Sequence, residues 1–178
     1  MSDWKLISTA NPSGAANVEF TALTGYKIFK FVFIDVNPAT NNVTMQFDGS
    51  ISGTYGSTTK TSTYFRAYNN EAGDDAAVIY NPHMDLAQST NDQPLMSSLG
   101  NASDESGAGE LILFNPASTV YVKQFYGRFQ EHSESPSYAY DSYPSGYLNT
   151  TSAIDGIKFL MSSGNFDGTI KQYGLVAG

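Results

Sequence analysis

The chain has 178 residues, a formal net charge of −8, only 15% charged side chains, 13% aromatics and no cysteine. That length allows one compact domain over 1–178 with a sizeable core, and the missing thiols exclude a disulfide framework, a thiolate zinc site and a cysteine nucleophile. Nine Lys and Arg, scattered singly in an acidic chain, are the wrong electrostatics for gripping phosphate backbones, so nucleic acid and anionic membrane are not expected partners.

The start, Met1-Ser2-Asp3-Trp4-Lys5, lacks the basic and apolar regions of a secretory leader, and no apolar run approaches the ~18 residues that span a bilayer, so a soluble product is expected. Ser, Thr and Asn are abundant while Lys, Glu and Leu are sparse, which disfavours long helices and suits short strands joined by polar turns. Strands are expected over 4–9 and 18–23, with Trp4 pinning the first into the core. In 26–36, Phe29, Phe31 and Phe33 fall on one face and Ile28, Val32, Ile34 and Val36 on the other, the pattern of a central strand apolar on both sides. Strands over 43–48, 61–69 and 77–81 follow. The stretch 83–100, with Leu86, Leu95, Met96 and Leu99 loosely spaced, is the one place where a short helix competes with other structure.

Residues 101–109 read as a long loop and 110–115 as a strand. In 120–130, Tyr121, Phe125 and Phe129 alternate with Gln124, Arg128 and Gln130, as in a strand with one wet face. A second long loop is expected over 131–145, and strands over 146–149, 154–161 and 168–173 complete the set. Four of the seven prolines follow Asn, at Pro12, Pro38, Pro82 and Pro116, and Asn-Pro starts turns. About ten short strands without helical crossovers predict an all-β fold, two antiparallel sheets packed as a jelly-roll-like sandwich. Its interior is expected to hold Phe29, Phe31, Phe33, Phe47, Phe65, Phe125, Ile157, Phe159 and Ile170.

Little in the chain points to catalysis. His83 and His132 could each act as a general base beside Asp85 or Glu134, but both read as surface-loop histidines. No Gly-x-Ser-x-Gly, His-Glu-x-x-His or Gly-x-x-x-x-Gly-Lys-Ser/Thr motif occurs, so the minimum parts of those hydrolase, zinc-protease and nucleotide sites are missing. The pairs Asp74/Asp75 and Asp104/Glu105 offer hard oxygen ligands that calcium would accept, yet nothing fixes a ligand spacing, and solvated acidic loops are the simpler reading. No cofactor, no metal and no enzymatic activity are expected. The sequons at Asn42, Asn101 and Asn149 are what chance supplies in a chain of this composition. The segment 137–147 sets Tyr138, Tyr140, Tyr143 and Tyr147 among small residues. In a loop these would form a rigid contact surface for saccharide or protein; the alternative is that some rings pack over the end of the sandwich.

Three runs carry a resemblance. The opening Trp4-Lys5-Leu6-Ile7-Ser8-Thr9-Ala10 with Val18-Glu19-Phe20-Thr21, the middle Gly109-Glu110-Leu111-Ile112-Leu113-Phe114-Asn115-Pro116, and the ending from Ser162 to Leu175 resemble, nearly end to end, a family of small β-sandwich virion proteins of tailed phages, frequent in marine and cyanobacterial phages. The C-terminal Ser163-Gly164-Asn165-Phe166-Asp167-Gly168-Thr169-Ile170-Lys171-Gln172-Tyr173-Gly174-Leu175 is similar to the last strand of modules used as capsid decorations or tail-appendage tips. The resemblance implies a non-enzymatic virion component, most simply a capsid decoration or cement protein. Its implied partners are itself, as a symmetric homo-oligomer with a trimer favoured, and the major capsid protein or other virion proteins. A tail-tip adhesin is the alternative. The implied location is the capsid exterior or the tail, after assembly in the host cytoplasm. No heptad stretch or collagen-like repeat is present to build a fibre shaft.

Overall fold

The computed structural model describes residues 3–133 and 137–175. These hold twelve strands and no helix: β1 (Trp4–Ala10), β2 (Asn17–Thr21), β3 (Ile28–Pro38), β4 (Val43–Ser50), β5 (Lys60–Asn70), β6 (Ala76–Tyr80), β7 (Gln93–Leu99), β8 (Gly107–Phe114), β9 (Lys123–His132), β10 (Tyr138–Leu148), β11 (Gly156–Met161) and β12 (Phe166–Leu175). They form two antiparallel sheets of unequal width, the wide one in the order β1-β12-β3-β8-β9-β10-β5-β6 and the narrow one in the order β2-β11-β4-β7. The expected all-β, two-sheet sandwich is therefore the observed architecture. Among the described residues no helix is long and apolar enough to cross a membrane.

The strand β3 lies between β12 and β8, central as its two apolar faces require. Phe29, Phe31 and Phe33 point inward and are fully buried, while Ile28, Lys30, Val32 and Ile34 lie on the half-buried outer side. A bulge between Phe33 and Val36 leaves Asp35 at φ 52° and restores Val36 to the core side. The two sheets meet through edge-on rings. Phe159 of β11 stands 5.2 Å from Phe31, 4.9 Å from Phe33 and 6.1 Å from Phe20, and Phe47 of β4 stands 5.0 Å from Phe125 of β9, all in the favoured T-shaped range. A glycine pair shapes the floor beneath: a Cβ on Gly109 or Gly127 would come within 2.6 Å or 2.5 Å of the Phe129 ring, so this ring can lie flat against the sheet only because both are glycine.

Two lysines are buried with the core. Lys60 and Asp48 form an ion pair at 2.6 Å with both side chains fully buried. Lys60 Nζ also donates to the carbonyls of Thr58 and Asn91, and Asp48 accepts from the backbone N–H groups of Gly49 and Gly56. The pair ties the start of β5 in the wide sheet to β4 in the narrow one. Lys123 has no carboxylate; its ammonium donates to the carbonyls of Tyr121 and Thr150, both at 2.9 Å, and burial lowers its pKa. Both lysines flank Leu148 in register.

Several expectations are corrected. The segment 83–100 forms turns and then β7, with no helix. The loosely helical spacing of Leu95, Met96 and Leu99 arises because β7 pairs β4 with register shifts and carries Ser98 at φ 56°, which turns all three side chains into the core. The loop expected over 101–109 ends at Gly107, where β8 starts, and most of 131–145 belongs to β9 and β10. Phe65 is 43% exposed and Trp4 37% exposed. Phe65 sits on the outer face of β5, and Trp4 lies on an edge strand with the Lys30 ammonium 4.6 Å over its ring. The other eight residues expected inside are buried.

Removing the Lys60 cation would strand a fully desolvated carboxylate. Lys60→Met should therefore lower the unfolding free energy by about 3–5 kcal/mol, measured by urea denaturation; a loss under about 1 kcal/mol would mean the pair does not clamp the sheets.

Candidate functional site

The narrow sheet covers the inner side of the wide one from β12 to β10, with β7 lying over β9 and β10. Among the described residues no element covers the outer side. Cross-strand register places aromatic and apolar side chains across it: Val78 and Tyr80 of β6, Phe65 of β5, Tyr143 of β10, Tyr126 of β9, Phe114 and Ile112 of β8, then Lys30, Tyr173 and Trp4 toward the β1 edge. Phe65 and Tyr143 stack with ring planes 4° apart and centroids 4.7 Å apart, and Phe114 leans on Tyr126. Tyr80 and Tyr126 are 53% and 51% exposed.

The polar groups of this face are engaged with one another. Arg128 makes a bidentate pair with Asp141, at 2.9 Å and 2.8 Å, which holds the Asp141 carboxyl below its usual range. Tyr143 donates to the same carboxylate at 2.6 Å and lies under the guanidinium. Tyr80 donates to Asp85, Thr63 bonds Ser145, and Lys30 lies 3.7 Å from Glu110. The result is a largely preassembled surface of rings and matched charges.

The four tyrosines of 138–147 stand on a strand. The structure places them on β10, so alternation sends Tyr138 and Tyr140 to the inner side and Tyr143 and Tyr147 to the outer. Tyr138 and Tyr140 stack on each other and meet Tyr68 edge-on, with the Arg66 guanidinium 4.0 Å over Tyr140. Tyr138 donates to Asp75 at 2.6 Å, which pushes its phenol up to about 12. These rings close the inner side of the wide sheet beyond the reach of β7, which is the packing alternative for this segment. Tyr143 belongs to the outer face, and Tyr147 lies opposite Thr61. Sequence reasoning places Phe65 inside and singles out neither Tyr80 nor Tyr126; Tyr126 alternates with the apolar side of its strand, and that alternation is the available signal.

Next to the tyrosines lies a buried acid. Glu131 is buried beneath β7 and accepts from the Ser97 N–H at 2.8 Å, and Arg66 in turn donates to the Ser97 hydroxyl at 2.8 Å. Desolvation pushes the Glu131 carboxyl up to about 8, against the opposing pull of Ser142, Ser97 and Arg66. Its Oε1 and the Ser142 hydroxyl lack partners of hydrogen-bond geometry. Tyr64, whose hydroxyl donates to the Leu95 carbonyl, shares this compartment and is likewise shifted up by burial.

The remaining candidates are dispersed. His83 is exposed, and Asp85 is taken by Tyr80. His132 Nε2 lies 3.9 Å from Glu71, while Glu134 is outside the described residues. Asp74 bonds Asn70, Asp75 bonds Tyr138, and Glu105 bonds the Ala102 N–H. Among the described residues no three His, Asp or Glu side chains converge as a metal would need. The molecule is thus a two-sheet antiparallel sandwich with one open aromatic face. No family model, curated protein or solved structure matches the chain.

The buried acid sets a pH dependence. An unfolded glutamate loses its proton near pH 4.5 and the folded Glu131 near pH 8. Between these values only the folded state holds the proton, so the stability due to Glu131 is complete below the lower value and lost as pH rises through the higher one. The melting temperature should fall from about pH 5 to about pH 8, and Glu131→Gln should flatten that slope. Superimposable profiles for the two proteins would overturn the assignment.

Proposed function

We propose that the chain is a non-enzymatic structural component of a tailed-phage virion, a head decoration protein that seats the outer face of its wide sheet on the capsid lattice. The observation that carries the reading is the state of that face. Exposed rings supply apolar area, and most of the charged groups between them, Arg128 with Asp141 and Lys30 with Glu110, are already paired within the face. Covering such a surface removes apolar area from water while leaving few charges unpartnered, and unpartnered charge is the main penalty in burying ionic groups at an interface. A broad open sheet face matches another protein's surface better than a small molecule, for which concave sites are usual. The resemblance of the three sequence runs supplies the virion setting. Association as a symmetric trimer agrees with it, because a closed oligomer presents identical contacts to a symmetric lattice.

Quantitative densitometry of intact virions should give about one third to one copy per major capsid protein, as lattice coverage requires. Purified protein should rebind heads stripped of it and raise the temperature at which they burst. Phe65→Ala, Tyr80→Ala and Tyr126→Ala together should weaken that rebinding about tenfold or more with the fold intact. A ratio of a few per cent, with binding of the purified protein to host cells, would overturn this reading in favour of a tail-tip adhesin.

A further inference from the structure

The outer side of the narrow sheet differs in kind from the face just described. It carries a cleft of about 540 Å³ between β4, β11 and the segments 55–56 and 90–92, a volume within the usual range of small-ligand sites. Its floor is Asp48, held by Lys60 and by two backbone N–H groups, so this carboxylate is neutralised and immobile. Lys158 stands directly opposite Asp48 in register, and its ammonium lies 4.9 Å over the Tyr55 ring. Gln46 and Asp92 complete the walls.

These walls hold hydrogen-bonding capacity that the protein leaves unused. Among the described residues the Asp92 carboxylate accepts no hydrogen bond, although it is half-buried and desolvation raises its pKa. The Tyr55 hydroxyl turns toward Ser50 and Gly156, which do not line this cleft, so Tyr55 contributes only its ring. Lys158 has no carboxylate within ion-pair distance, and the Gln46 amide is unpaired. A half-buried carboxylate, an ammonium and an amide around one cleft, none hydrogen-bonded to another described residue, offer a ligand acceptors and donors together. The charges cancel, Asp48 against Lys60 and Asp92 against Lys158. An anion would face Asp92, and a simple cation would face Lys158. A neutral ligand rich in hydroxyls fits both, because each hydroxyl can donate to Asp92 and accept from Lys158 or Gln46.

We propose that this cleft is a saccharide-binding site for a neutral sugar unit, with Asp92 accepting hydroxyl hydrogens and Lys158 and Gln46 completing the contacts. It lies on the opposite side of the sandwich from the proposed capsid-facing surface and does not depend on that reading.

A glycan array spanning neutral hexose, N-acetylhexosamine and deoxyhexose termini, probed with the whole purified chain, tests the class. Hits are then titrated by nuclear magnetic resonance. At least one neutral glycan should bind, with shifts centred on the amides of Gln46, Asn91 and Asp92. Asp92→Ala and Lys158→Ala should each weaken binding about tenfold while the thermal melt is unchanged. The proposal is overturned if no neutral glycan binds, if both variants bind as the parent does, if the shifts map to β10, or if only glycine or inorganic phosphate, run as charged controls, perturbs the cleft. The shift map of the parent protein decides the matter even if a variant fails to fold.

Discussion

Phe159 is the ring on which the two sheets lock. It stands edge-on to Phe31 and Phe33 of β3 and to Phe20 of β2, so the most apolar strand of the wide sheet is fixed beneath β11. Once that contact is set, the sheet orders dictate the rest. The narrow sheet extends four strands across a sheet of eight and reaches only from β12 to β10. The inner side near β5 and β6 and the whole outer side of the wide sheet are left to find other solutions.

The chain solves the two problems differently. On the inner side, past the edge of β7, it lays Tyr138, Tyr140 and Tyr68 over the sheet with Arg66 between the rings. Beneath β7 it buries Glu131 and Ser97, and at the opposite end it seals the gap with Lys60 and Asp48. Long amphipathic side chains suit such a perimeter, since an apolar stem can cover the core while the polar tip finds a carbonyl or carboxylate. The edges of the wide sheet are blunted: β1 carries a bulge at Ile7, and β6 is a five-residue strand followed closely by Pro82.

The alternation of β9, and of β3 as far as its bulge, was legible because both keep a period of two there; the same pattern read along the other strands gave the fold class and eight of the nine expected core positions. Phe65 escaped because one apolar residue on a mostly polar strand does not say which face is covered. That depends on how far the narrow sheet reaches, a tertiary fact. The reading of 137–145 as loop failed because Ser, Tyr, Asp and Pro are turn residues locally, whereas their pairing with β5 and β9 on both sides makes them a strand. The buried lysines were illegible for the same reason: Lys60 and Lys123 read as solvated charges until register sets both beside Leu148. The outer face could not be read as a site at all, because its rings come from six or more strands scattered along the chain.

The two sides of the sandwich differ most in how completely their polar groups are satisfied. On the wide sheet Arg128, Asp141, Tyr143 and Tyr80 spend their hydrogen bonds on one another, so what that face presents to a partner is mainly shape and apolar area. On the narrow sheet Asp92, Lys158 and Gln46 line one cleft without a hydrogen bond to another described residue, so what that face presents is unfilled hydrogen-bonding capacity. Shape and apolar area suit a large rigid surface, where the cost of desolvating charges would otherwise grow with every pair covered. Unfilled capacity suits a small polar ligand, which gains direction from each bond and is rejected when a hydroxyl is missing or replaced by charge. A module that is to lie on one object and touch another needs two faces that do not compete for the same partner, and opposite hydrogen-bonding states on opposite sheets provide that separation.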